Sequence, residues 1–103
     1  MEYSEVMEAE TRTKTDRRLA RLEGQVRGVR RMLSEDAYCC DVLQQISAIT
    51  SALNQVAAAV AASHIRTCIL DHGSPSSHEQ TKTMSREEMI FELEDVMSRL
   101  VKA

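Results

Sequence analysis

Thirty-five consecutive residues, Asp36 to Leu70, contain neither glycine nor proline. Nothing in such a run breaks a helix. Within it Val42, Ile46, Ile49, Leu53, Val56 and Val60 recur at alternating spacings of four and three. That is the seam of a helix packed lengthwise on another helix. A continuous helix of this length spans about 50 Å, more than one neighbouring helix of a short chain can cover. The stretch also holds all three cysteines, Cys39 and Cys40 near its start and Cys68 near its end, with His64 one turn before Cys68. Metal-ligand residues therefore stand at both ends of one apolar rod.

A chain of 103 residues has room for one domain and one modest core. Three glycines, one proline and no tryptophan speak against a turn-rich sheet and for an all-α chain. Residues 1–12 read as a flexible N-terminal segment and residues 13–103 as a single three-helix domain. No uninterrupted run approaches the ~18 apolar residues of a membrane span, and the acidic start MEYSEVMEAE lacks an apolar signal core. These features predict a cytoplasmic protein with no membrane partner, whose cysteines serve as thiols or metal ligands rather than as a disulfide frame.

The net charge of −3 conceals a segregation. Arg12, Lys14, Arg17, Arg18, Arg21, Arg27, Arg30 and Arg31 fall in the short segment 11–36, against only Asp16, Glu23, Glu35 and Asp36. Residues 1–10 and 71–103 are acidic. A low isoelectric point does not exclude a nucleic-acid surface when the basic charge is concentrated in this way. An arginine-rich helix face is also what a simply solvated helix shows.

Taken in order, the first helix is expected to start near Thr13 or Thr15, either of which can cap it, with Asp16 in its first turn. Its apolar stripe is Leu19, Leu22, Val26, Val29 and Leu33. Gly24 and Gly28 sit within it, each costing roughly 1 kcal/mol relative to alanine, and their shared face suggests a close helix–helix approach. Ser34 or Asp36 can cap the second helix, which makes helices one and two antiparallel neighbours. The segment DHGSPSSHEQTKT reads as a loop, with His72 and His78 solvated. Ser85 and Glu88 form a capping box for a third helix carrying Met89, Ile90, Leu93, Val96, Met97 and Leu100.

His64 and Cys68, four residues apart, project from one helix face within reach of one ion. Cys39 lies twenty-five residues before His64, about 37 Å along a continuous helix, so one ion cannot bridge them within a chain. An antiparallel second copy resolves this, because its Cys39 would lie opposite His64 and Cys68 of the first. The two-fold axis then crosses near Ala52 and Leu53, at the centre of the apolar seam. The expected assembly is an antiparallel four-helix-bundle dimer with two equivalent intersubunit sites. Two thiolates and an imidazole form a soft, three-coordinate set that favours Cu(I), whereas Zn(II) or Ni(II) would want a fourth ligand. Cys40 lies about 100° around the helix from Cys39, so only one of the pair can face the ion. Tyr38 and an acid of helix three, Glu87 or Glu88, can hydrogen-bond the His64 ring from behind.

At these residues the sequence resembles the CsoR/RcnR family of bacterial metal-responsive transcriptional repressors. The resemblance is carried by RLARLEGQVRGVRRML (residues 18–33), YCCDVLQQISA (residues 38–48) and the set Cys39, His64 and Cys68. It extends from about Arg17 to Val101. It implies Cys39, rather than Cys40, as the ligand and dimers paired into a tetramer. It further implies a DNA surface without a helix-turn-helix, and release of DNA when the ligand binds. The Cys, His, Cys set is similar to that of the copper-sensing branch, and a nickel sensor with the same three residues is similar too. Two positions depart from the pattern: Cys40 stands where relatives have an aliphatic residue, and Asn54-Gln55 where many have a basic one.

The expected function is a Cu(I)-responsive repressor whose apo form binds operator double-stranded DNA through Arg17, Arg18, Arg21, Arg30 and Arg31. The alternatives are a repressor answering to Ni(II), or to thiol modification at Cys39 or Cys40, and a cytosolic copper-binding protein without a DNA role. An enzyme is not expected, since no third residue is placed to orient a Cys–His pair.

Overall fold

A computed structural model describes residues 8–73 and 77–102. The elements are α1 (Ala9–Ser34), α2 (Cys39–His64), a π-helix (Ile65–Leu70), a 3₁₀ turn (Glu79–Thr81) and α3 (Arg86–Lys102). There is no strand among the described residues, so the chain is all-α as its composition requires. Its contacts fall into two compact units: one is Glu10–Ala59, and the other runs from Val60 onward and includes Glu8 and Ala9.

The helix α1, all but its first residue in the first unit, begins at Ala9, ahead of the Thr13 or Thr15 start expected from capping residues. The reason is visible in the ion pair of Glu10 with Lys14 at 3.3 Å, one turn apart in the helix, and in the acid at the positive helix end. Part of the segment expected to be flexible is thus helical, and residues 1–7 lie outside the described residues. At its other end α1 closes in a Schellman motif. The Ala37 N–H donates to the Met32 carbonyl at 2.9 Å and the Asp36 N–H to the Leu33 carbonyl at 3.2 Å. Asp36 takes the left-handed conformation, φ 56°, which an Asx residue tolerates better than most. Ser34 turns its hydroxyl back to the Arg31 carbonyl at 2.8 Å. Neither residue caps α2, contrary to expectation: both end α1. The next helix opens at Cys39, with the Tyr38 carbonyl accepting from the Asp41 and Val42 N–H groups at 3.0 and 3.2 Å.

Leu19, Leu22 and Val26 of α1 line one apolar groove with Ile49 and Leu53 of α2, as antiparallel neighbours joined by a short turn do. The groove is not closed. Of the predicted seam, Val42 and Val56 are buried, whereas Ile46 is 43% and Leu53 50% exposed. A β-carbon added at Gly28 would meet nothing within 4 Å, and one at Gly24 only the end of Arg27. The close approach expected at the two glycines is therefore absent within one chain. Cys39–Leu70 is also long and apolar enough, by length and composition, to cross a membrane. Counting uninterrupted apolar residues missed this, because Gln44, Gln45, Ser47, Thr50 and Ser51 are interleaved with the seam. Those polar side chains give the helix a second, wettable face, the mark of a helix that packs on one side.

In the second unit the core is small. Cys68 and Ile69 of the π-helix pack against Met89 of α3, flanked by Met84 and Leu93. The capping box at the start of α3 forms as expected: the Glu88 N–H donates to Ser85 Oγ at 3.1 Å, and the Ser85 N–H to Glu88 Oε1 at 2.8 Å. Ser85→Ala removes one of the two bonds and should cost about 1 kcal/mol; equilibrium denaturation at fixed chain concentration would register it. Further along α3, Arg99 pairs with Asp95.

Candidate metal and nucleic-acid sites

The first surprise lies between His64 and Cys68. The α-helical hydrogen-bonding pattern ends at His64, and Cys68 is carried by the π-helix, a switch that the spacing of the pair does not announce. A π-turn bonds i to i+5, which widens the helix locally. Two hydroxyls help to explain the switch. Thr67 Oγ1 donates to the Ser63 carbonyl at 2.8 Å, competing with the main-chain ladder. Ser77 Oγ donates to the Thr67 carbonyl at 3.0 Å and to that of Asp71 at 3.1 Å. Arg86 then satisfies the carbonyls that the π-helix leaves over, reaching Ile69 at 3.0 Å and Leu70 at 3.4 Å, which places a cation at a helix C-terminus.

Cys68 is fully buried. Its sulfur lies 3.5 Å from the main-chain nitrogen of His78, which donates to it, and 3.7 Å from Thr67 Oγ1. His64 is half-buried. Ser63, just before it, is buried, and its hydroxyl has no partner among the described residues. Arg66, between the two candidate ligands, forms a two-pronged ion pair with Glu8 at 2.9 and 2.8 Å. Hydrogen bonds and the charge of Glu8 raise the Arg66 guanidinium above its ordinary value.

Cys39 and Cys40 are the first two residues of α2, and both are exposed. Tyr38 beside them is 69% exposed. Among the described residues, no three His, Cys, Asp or Glu side chains of one chain come together as a metal cluster. Of the two acids expected behind His64, Glu88 is engaged in the capping box and Glu87 is exposed. His72 is not solvated as expected: its Nε2 lies 3.1 Å from the Thr81 carbonyl. The donor set nevertheless suits a soft ion. One buried thiol already accepts an N–H, an imidazole stands nearby in sequence, and an exposed thiol at the far end of α2 is available to another molecule.

Arg17, Arg18, Arg21, Arg30 and Arg31 are exposed on α1. Among the described residues none of them is in an ion pair, whereas Lys14 is held by Glu10. Five unpaired guanidinium groups on one helix can meet phosphate oxygens without first breaking internal bonds. Arg30, with Arg27, also lines the edge of the open groove. Sequence reasoning did not anticipate Thr67, Ser77 and Arg86 around the π-helix. Ser77 looked like part of a linker; its burial and its bonds to the Thr67 and Asp71 carbonyls mark it as structural.

Comparison with known proteins gives these features a class. The model of the family described as "Metal-sensitive transcriptional repressor" matches residues 11–99. The chain belongs to this family of metal-sensitive transcriptional repressors, which are regulators and not enzymes. Among its relatives, the copper-sensing transcriptional repressor RicR of Mycobacterium tuberculosis is 57% identical over 53 residues, 52% of this chain and 55% of that protein. The chain thus spans about half the length of this relative. The copper-sensing repressor CsoR of Bacillus subtilis is 38% identical over 86 residues, 84% of this chain and 77% of that protein. The crystal structure of CsoR with Cu(I) from Geobacillus thermodenitrificans superposes with a TM-score of 0.72 at 35% identity, covering 90% of this chain and 88% of that one. These relatives lend no support to the Ni(II) and Zn(II) alternatives.

Proposed function

We propose that this chain is a Cu(I)-responsive repressor that binds operator DNA through α1 in its apo form. It releases the DNA when Cu(I) joins Cys39 of one chain to His64 and Cys68 of an antiparallel partner. The observation that carries this reading is the incomplete ligand set: among the described residues no third His, Cys, Asp or Glu joins His64 and Cys68, while Cys39 is exposed at the opposite end of α2. The half-exposed seam at Ile46 and Leu53 supports a second copy as the element that covers it, and the matched relatives are copper sensors. Pairing of dimers into a tetramer, and Tyr38, Glu87 or Glu88 as hydrogen-bond partners of His64, belong to the same reading. So does a cytoplasmic location.

Cu(I), when bound, supplies a soft cross-link between the two chains. The protein supplies the rest: α2 keeps the two half-sites apart until a partner aligns them, and the π-helix presents Cys68 from a packed core. Arg17, Arg18, Arg21, Arg30 and Arg31 contribute counterion release on the duplex. Gel-shift titration on the chain's own promoter region, with and without Cu(I), tests the proposal; unchanged affinity would sink it. For each arginine that meets a phosphate, replacement by glutamine should lower the slope of log affinity against log salt by about one unit and weaken binding equally across sequences. The check is fluorescence anisotropy over a salt series.

A further inference from the structure

We propose that the main-chain N–H of His78 is an outer hydrogen-bond donor to the metal-binding sulfur of Cys68, and that the Ser77 hydroxyl is the positioning group that holds it on target. This rests on the metal site proposed above. Cys68 Sγ is wholly buried, and two polar atoms of the described residues approach it. Thr67 Oγ1 at 3.7 Å has given its own proton to the Ser63 carbonyl, so towards a deprotonated sulfur it offers only lone pairs. His78 N–H at 3.5 Å is then the donor that a metal-bound sulfur can use. Ser77 determines where that N–H points. Its buried hydroxyl is shared between the Thr67 and Asp71 carbonyls, which ties the start of the loop to the same π-helix that carries Cys68. Thr81 completes the brace, its N–H and hydroxyl donating to the His78 carbonyl at 3.0 and 2.8 Å.

A sulfur bound to a metal carries more negative charge than a thiol, and a hydrogen bond to a charged acceptor is stronger than one to a neutral acceptor. The N–H bond therefore strengthens on loading and biases the chain toward the metal-bound state. It also connects ion occupancy to the 77–81 segment.

His78 has φ −63°, the value that proline imposes. His78→Pro thus deletes the donor while keeping the backbone angle and the carbonyl that Thr81 uses. The full chain, with Cu(I) in competition with a bicinchoninate chelator, should bind the ion about 10–100-fold more weakly in His78→Pro. Ser77→Ala should follow in the same direction with a smaller loss. The thiolate charge-transfer absorption should move to longer wavelength in both, because a sulfur without its N–H bond holds its electrons less tightly. A purely structural role would leave that band in place. In the apo chain, hydrogen exchange at the His78 amide should be at least tenfold faster in Ser77→Ala than in the wild type.

Equal Cu(I) affinity and an unmoved band in His78→Pro would overturn the donor role. Unchanged exchange in Ser77→Ala would overturn the positioning role. Should His78→Pro lose helicity, Ser77→Ala decides both points. A wild-type chain that takes up no Cu(I) would instead defeat the underlying metal site, and the exchange measurement would still decide what Ser77 does.

Discussion

Cys39→Ala is expected to bind operator DNA as the wild type does and to ignore Cu(I). The thiol is exposed in the first turn of α2 and belongs to no buried cluster, so its loss should leave folding and the arginine surface intact. The proposed site loses one of its three ligands. A coupling of about 1–3 kcal/mol, which corresponds to roughly 5–150-fold weaker DNA binding in the loaded state, should collapse to none. Cys40→Ala should keep the response, because the two side chains point about 100° apart.

The same variant offers a sharper test of where the ligands come from. Mixing Cys39→Ala with His64→Ala chains creates antiparallel pairs in which one site is doubly damaged and the other carries all three wild-type ligands. If the site is shared between chains, the mixture regains high-affinity Cu(I) uptake at up to one ion per mixed pair. If every ligand came from one chain, mixing would restore nothing. Loss of DNA binding by Cys39→Ala alone would contradict the separation of the two surfaces.

Met89→Ala should produce the largest loss of stability. Met89 is completely buried against Cys68 and Ile69, and Met84 and Leu93 pack beside it. Truncation removes transfer free energy and leaves a cavity that the short α3 and the braced π-helix cannot easily fill. Such substitutions cost about 2–5 kcal/mol, a large part of the ~5–15 kcal/mol that stabilises a typical domain. Each kcal/mol corresponds to about 4–8 °C in Tm for a domain of 60–100 residues. Denaturation must be followed at fixed chain concentration, since association contributes to apparent stability. Glu94→Ala, on the exposed side of the same helix, should stay within about 0.5 kcal/mol of wild type. Because the cavity would adjoin Cys68, Met89→Ala should also loosen Cu(I) binding, whereas Glu94→Ala should not. A Met89→Ala chain as stable as wild type would show that the Cys68 core contributes little to folding.

What the sequence determined by itself is what local chemistry dictates. A long run without glycine or proline that carries an apolar seam favours a helix, and a Ser85-x-x-Glu88 box favours a helix start. The clustering of charge on α1 and the separation of Cys39 from His64 are likewise properties of order along the chain. Tertiary structure decided what depends on competition for hydrogen bonds. Asp36 and Ser34 could have capped the second helix, but the Schellman turn claimed them for the end of the first. His64 and Cys68 have the spacing of an α-helical pair, yet the Thr67 and Ser77 hydroxyls bond main-chain carbonyls there and the helix widens into a π-turn. No periodicity announces such an exchange, because it is settled between groups distant in sequence: Ser77 and Arg86 both act on the segment that ends at Leu70. The half-exposed seam of α2 supports the second molecule of the proposed site; the π-turn decides how Cys68, one of its proposed ligands, is buried.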